Sequence, residues 1–201
     1  VGNSIRTDKH FNTIQEAMNA LYANGISGPI TFELVDDVYT LESPRSGSPA
    51  WDFTSKILNV GYNARTNSIW DIKWVPASNR AMMRGGVTIN LNTNSGQGIL
   101  FGQNGNPSNA FAIVREFSNT QNINSAGYIT FDGGSQKALK VVVNPQAQAN
   151  GHAVAFYVGN GARNITIKNV IVENGVSATA NNVSLPMVRY ITQDNRYRYD
   201  A

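Results

Sequence analysis

Thirteen acidic residues are spread through this 201-residue chain, and Asp36 and Asp37 form the one adjacent pair among them. Adjacent carboxylates suit a hard cation such as calcium, which takes about six to eight oxygen ligands. The same two residues suit a tight corner equally, because Asp tolerates unusual backbone angles and bonds nearby N–H groups. No second acidic pair lies nearby, so the corner is the favoured reading and no metal is expected. Asp132 follows a strand pattern without an acidic neighbour, and His152 sits at the start of another strand pattern. General acid–base chemistry needs two such groups converging, and the spacing offers no pair.

Aromatic residues offer a second chemistry. Trp51, Trp70 and Trp74 lie in one irregular stretch with Tyr62 among them. Flat apolar rings can stack on sugars. Trp70 and Trp74 are separated by an even number of residues, so in a strand they share one face. That face serves either as a carbohydrate platform or as core, and core is the commoner fate of Trp. At the other end Arg196, Tyr197, Arg198 and Tyr199 alternate, with Arg189 and Tyr190 upstream. Tyr and Arg are enriched where proteins meet, so this tail is a candidate partner contact.

The elements that must position these groups are mostly strands. Charged residues make up 14% of the chain, against roughly 25% in ordinary domains. Roughly one residue in eight is Asn, and with Gly it favours corners over long helices. One helix is predicted over residues 12–25, where Ile14, Ala17, Met18 and Leu21 make a single apolar face. Thr13 and Glu16 have capping-box spacing, with Asn12 and Gln15 as the alternative, and Gly25 is the stop. Strands are predicted from Ile30 to Leu34 and from Val38 to Leu41. An irregular excursion over 42–68 follows. Strand patterns return at 56–60, 69–75, 86–91, 98–101, 111–117, 128–131, 139–143, 153–158, 165–168 and 170–172. No second helical pattern separates them, so βαβ units are excluded.

A loose internal repeat is visible. Gly127-Tyr128-Ile129-Thr130-Phe131-Asp132-Gly133 aligns with Arg163-Asn164-Ile165-Thr166-Ile167-Lys168-Asn169, with two strand patterns between. That is three strands per turn and then a return to the first wall, the mark of an all-β solenoid with variable corners. Asn144, Asn169 and Asn174 end strands at comparable places and are expected to form a ladder of stacked amides. A β-sandwich is the alternative, and it demands hairpins and stricter alternation.

The net charge of +3 is a scattered basic excess. Nucleic-acid binding wants a denser basic stripe, so it is not expected. There is no cysteine, which excludes disulfides and thiolate metal sites. No apolar run reaches membrane-helix length, so no membrane insertion is expected. Val1-Gly2-Asn3 reads as the inside of a strand, so the chain is expected to start after a processing site or after earlier residues.

The segments "VGNSIRTDKHFNTIQEAMNAL" and "GISGPITFELVDDVYTLE" resemble the opening of the right-handed parallel β-helix, or pectate-lyase-like, superfamily. "SAGYITFDGG" and "AVAFYVGNGARNITIKNVIVENG" are similar to repeat modules of large secreted or cell-surface β-helix proteins of Bacteroidota and their relatives, some exported by type IX secretion. The resemblance covers about 110 residues at the two ends. It implies a right-handed β-helix with an N-terminal capping helix, residues 1–201 being one domain at the start of a longer solenoid. It implies a secreted or cell-surface location and a non-catalytic scaffold or adhesion module. Its C-terminal end would be covered by another polypeptide or by further coils, and glycans are a further partner class.

Polysaccharide lyases, hydrolases and tailspike-like depolymerases share this fold, and they are the rival reading, with calcium as cofactor if lyase-like. A carbohydrate-binding adhesin using Trp51, Trp70 and Trp74 is another. The hydrolase blocks are incomplete, since Gly151-His152-Ala153 echoes only part of one. Thr166-Ile167-Lys168 lacks the arginine of another. No catalytic residue is therefore assigned. Fold alone does not carry function.

Overall fold

The computed structural model describes residues 10–24, 28–42, 51–52, 57–58, 71–93, 97–101, 114–115, 127–145, 154–158, 163–175, 188–191 and 197–198. It is an all-β, parallel fold with one short helix, α1 (Ile14–Asn24). Thr13 caps this helix: its Oγ1 accepts the Glu16 N–H at 3.1 Å. Glu16 reaches back, and its carboxylate accepts the Asn12 N–H at 2.9 Å. The last turn is tied by the Asn24 side-chain amide, which donates to the Ala20 carbonyl at 2.7 Å. Ile14, Ala17, Met18 and Leu21 are all buried, as their spacing requires. No helix among the described residues is long and apolar enough to cross a membrane.

The strands are β1 (Ile30–Leu34), β2 (Val38–Glu42), β3 (Trp51–Asp52), β4 (Ile57–Leu58) and β5 (Ile72–Pro76). There follow β6 (Val87–Thr93), β7 (Gln97–Phe101), β8 (Val114–Arg115), β9 (Gly127–Asp132) and β10 (Leu139–Pro145). The last five are β11 (Val154–Val158), β12 (Arg163–Lys168), β13 (Val170–Asn174), β14 (Val188–Ile191) and β15 (Tyr197–Arg198). They form a first sheet ordered β1-β5-β9-β12, a second ordered β2-β6-β10-β13, and a third ordered β3-β7-β11-β14-β15. A short β4–β8 pair adds a fourth wall in the first two rounds. The chain thus visits the three sheets in turn, four times over. Among the described residues every pairing is parallel except β14 with β15. Parallel strands need a crossover, and passage through the other two sheets supplies it. Among the described residues only the antiparallel β14–β15 pair joins consecutive strands, so the hairpins that a sandwich needs are not the rule there.

The repeat read from sequence is the repeat in space. β12 lies on β9 with Ile165 on Ile129, Ile167 on Phe131 and Lys168 on Asp132. Tyr128 and Asn164 precede these pairs, and both adopt left-handed backbone, with φ of 58° and 52°. That conformation costs roughly 1–2 kcal/mol outside glycine, so its recurrence one above the other marks a shared bend.

Inward-pointing positions stack along the axis. Phe32 lies on Trp74, which lies on Phe131. The Phe32 and Trp74 rings are 4.2 Å apart and stacked, and Phe131 continues the row at 6.4 Å from Trp74. Phe11, just before α1, meets Phe32 at 6.4 Å. Phe101 and Phe156 meet Phe131 in T-shaped contacts at 6.1 and 5.5 Å. Such pairs add about 0.5–1.5 kcal/mol each beyond their buried area. On the second sheet Val87, Ile89, Leu91, Leu139 and Val141 are all fully buried, worth roughly 1.5–3 kcal/mol for each full side chain.

One glycine is demanded by the stacking. Gly133 follows β9 where the chain turns into the second sheet. A Cβ there would lie 1.9 Å from the Asn169 carbonyl oxygen of the next round. The Gly133 N–H is meanwhile donated to the Lys168 carbonyl at 3.1 Å. Any side chain would push the two rounds apart.

Candidate functional site

Asp36 and Asp37 stand exposed in the turn between β1 and β2. The Tyr39 hydroxyl accepts the N–H groups of Val35 and Asp36 at 3.0 and 3.1 Å. Arg80, from the turn between β5 and β6, forms an ion pair with Asp37. Its Nε also donates to the Val35 carbonyl at 3.1 Å. The Asp37 carbonyl accepts the Thr88 N–H at 2.8 Å. These partners are those of a corner that ties two rounds together, and Asp37 already has a cation of its own. Among the described residues no three His, Asp or Glu side chains converge as a metal-ligand group.

Asp132 is the better-held carboxylate. It ends β9, where its Oδ1 accepts the Gly134 N–H at 2.9 Å and lies 3.4 Å from the Asn169 amide. Oδ2 meets the Lys168 ammonium of the next round at 3.0 Å. Burial alone would raise its pKa. The hydrogen bonds from Gly134, Lys168 and Asn169, with the charge of Lys168, outweigh that and hold the carboxyl below its ordinary range. A base must accept a substrate proton, and this carboxylate spends its acceptor positions on clamping two rounds. A parallel tie joins Lys140 on β10 to Glu173 on β13 at 3.5 Å.

The amide ladder exists, but its members differ from those expected. Asn144 donates through Nδ2 to Asn92 Oδ1 at 3.1 Å, and Asn92 donates in turn to the Glu42 carboxylate. Asn169 belongs to the Asp132 corner instead. Asn174 is in register with Val143, not with Asn144. The position above Asn144 falls to Gly175, where a Cβ would sit 1.7 Å from Asn144 Oδ1. Sequence reading missed Glu42 and Asn92 because they lie 50 and 52 residues from their ladder partners. Only a known round length would have aligned them.

The tryptophans separate. Trp74 is 1% exposed and lies between Phe32 and Phe131, so no sugar ring can reach its face. Trp74 is a core residue, the favoured of the two readings of its face, and not a carbohydrate contact. Trp51 begins β3, in register with Ile99; its side chain, like all of Trp70 and Tyr62, lies outside the described residues, as does His152. Of the terminal tail, Tyr197 and Arg198 form β15, which pairs its backbone with Tyr190 and Ile191 of β14. Arg196 and Tyr199 are outside the described residues.

Incomplete burial marks the two outer rounds, with Ile30, Phe32, Tyr39 and Leu41 partly buried in the first. Ile129, Phe131, Leu139 and Val141 of the third round are 0% exposed. Their counterparts in the fourth, Ile165, Ile167, Val170 and Val172, are only partly buried against the same core. Among the described residues no strand lies beyond β12 or β13. In the third sheet β15 occupies the equivalent edge. Among the described residues, the end of the stack therefore presents half-covered apolar side chains beside two strand edges with no partner.

The chain matches no protein-family model, and no curated protein or solved structure is significantly similar to it.

Proposed function

We propose that the chain is a right-handed parallel β-helix closed at its first end by α1, and that it acts as a non-catalytic extracellular scaffold or adhesion module in a larger assembly. The observation that carries this reading is the fourth round. Its interior side chains are half-covered and the edges of β12 and β13 are open among the described residues. An open parallel edge over an apolar core is a template for another strand. Another polypeptide, or further coils, meets it. The likeness of residues 125–134 and 153–175 to repeat modules of large secreted β-helix proteins supports an extracellular or cell-surface location.

The test is association through that end. The intact protein is expected to form large species in light scattering. Ile167→Lys with Val172→Lys should reduce them to small, discrete ones, because charge on an exposed edge blocks pairing. Large species that persist unchanged in this variant, or their absence from the unmodified protein, would overturn the open-end assignment. The non-catalytic part is tested separately on acidic and neutral polysaccharides, with and without calcium. Turnover that disappears with Asp36→Asn plus Asp37→Asn would establish a lyase or hydrolase instead.

A further inference from the structure

We propose that the side of the stack carrying Met82 and Met83 is a two-fold interface between copies of this chain. Four large apolar side chains stand exposed among the described residues: Val35 at 38%, Val38 at 56%, Met82 at 82% and Met83 at 60%. Single exposed apolar residues need no explanation, but a cluster does. These four occupy two turns that lie one on the other. Val35 and Val38 flank the β1–β2 turn, and the methionines sit in the β5–β6 turn. Arg80 joins the two, by its bond to the Val35 carbonyl and its ion pair with Asp37.

The methionine turn is built to hold its shape. The Arg80 and Ala81 N–H groups are donated to the Ala77 carbonyl at 2.8 and 2.9 Å. Met83 N–H goes to the Arg80 carbonyl at 3.2 Å, and Gly86 N–H to the Met83 carbonyl at 2.9 Å. Ala77, at the root, is 5% exposed. A turn so internally bonded presents Met82 and Met83 outward instead of folding them onto the core. Met is also the apolar side chain that best adapts to an opposing surface.

The charges around the cluster identify the occupant. On the first-round side stand exposed Asp36 and Asp37, the latter already paired with Arg80. Exposed Arg84 follows Met83 in the methionine turn, and exposed Lys137 stands in the β9–β10 turn of the third round. The Gly85 N–H, next to Arg84, is donated to the Lys137 carbonyl at 3.0 Å, which fixes that side. Along the stack the acids lie in the first turn, the methionines and Arg84 in the second and Lys137 in the third, with apolar groups in the first two. A two-fold axis through the methionines lays the acidic side of one copy on the basic side of the other. An isologous interface requires this self-complementarity. The surface is on the flank of the stack and does not depend on what meets its open end.

Sedimentation equilibrium of the intact protein, and of the Ile167→Lys/Val172→Lys variant that silences the open end, tests this. Both should contain a reversible dimer, the second without larger species. Met82→Ser with Met83→Ser should raise the dimer dissociation constant at least about tenfold, with unchanged circular dichroism, since both residues are exposed. Asp36→Lys should raise it about two- to fivefold, and adding Lys137→Glu to the same chain should restore it. Peroxide gives a second reading: each thioether takes one oxygen to become the sulfoxide, releasing water. Met82 and Met83 should oxidise fast when dilute and slowly when concentrated, with buried Met18 slow throughout. A monomer at every concentration, a dimer indifferent to the methionine pair, a charge swap without restoration, or oxidation independent of concentration would each overturn the interface.

Discussion

The two ends of the stack are built from the same strands and finished differently. At the first end, α1 contributes Ile14, Ala17, Met18 and Leu21 to the core at 2–5% exposure, and Leu34 beneath is 2% exposed. Ile30, Phe32, Tyr39 and Leu41 of the first round are partly buried against the same core. At the last end, Ile165, Ile167, Val170 and Val172 are partly buried with no helix over them among the described residues. An interior position in such a stack is therefore apolar by register, but buried only if it has a neighbour on both sides. The largest expected contrast follows. Met18→Asp places an unpaired charge among buried apolar groups and should cost about 4 kcal/mol. Val172→Asp, on the half-open end, should cost about 1 kcal/mol, because the carboxylate keeps access to water. Urea unfolding of the two variants checks the pair, and equal losses would show that the ends are equally closed.

Within the stack, the approach of one round to the next is sharpest at Gly133. Gly133→Ala should cost about 2–3 kcal/mol, since its methyl group meets backbone and not a flexible side chain. Gly134, next in sequence, has open space at its Cβ but a φ of 68°. Gly134→Ala should therefore cost less, about 1 kcal/mol, from backbone strain alone. Thermal unfolding of both separates crowding from strain.

How much of this was legible depended on whether the physics was local. α1 was readable because its face and its cap lie within one stretch, and only the end residues differ, 14–24 against 12–25. The β9–β12 repeat was readable because Ile-Thr-Phe and Ile-Thr-Ile keep the same register in a strand. β14 and β15 were missed, since Arg and Tyr alternation read as a tail. The ladder and the Met82–Met83 surface were illegible for another reason. Asn92 finds Glu42 only after a full round, and a methionine pair inside a turn shows its exposure only once Ala77 is seen to anchor that turn.

The Asp132 clamp should distinguish the fourth round from the rest in its response to pH. The folded carboxyl lies below its ordinary value of 3.8, so it binds a proton less readily than in the unfolded chain. Its contribution is fully present above the ordinary value and is lost as pH falls through the lower, folded one. Asp132→Asn should lose up to about 1 kcal/mol near neutral pH and much less in acid. Hydrogen exchange read at β12 and β13 should show that acid opens these strands before β5 and β6. Simultaneous opening would mean that Asp132 does not hold the last round.

The smallest expected effect concerns the amide ladder, where three rounds are tied and the fourth is only touched. Asn92 is in the middle, accepting from Asn144 and donating to Glu42. Asn92→Ala removes both bonds and should cost about 1 kcal/mol. Gly175 sits above Asn144, and its N–H is donated to the Val143 carbonyl at 2.8 Å. A methyl group at Gly175 would meet the end of a flexible side chain, so Asn144 can swing aside and only its bond to Asn92 is lost. Gly175→Ala should then cost about 0.5 kcal/mol, and nothing further once Asn144 is already Ala. A double-mutant cycle over Gly175 and Asn144 measures this directly. Additive losses would mean that the clash falls on the backbone, and that the fourth round is held to the ladder more tightly than its half-buried interior suggests.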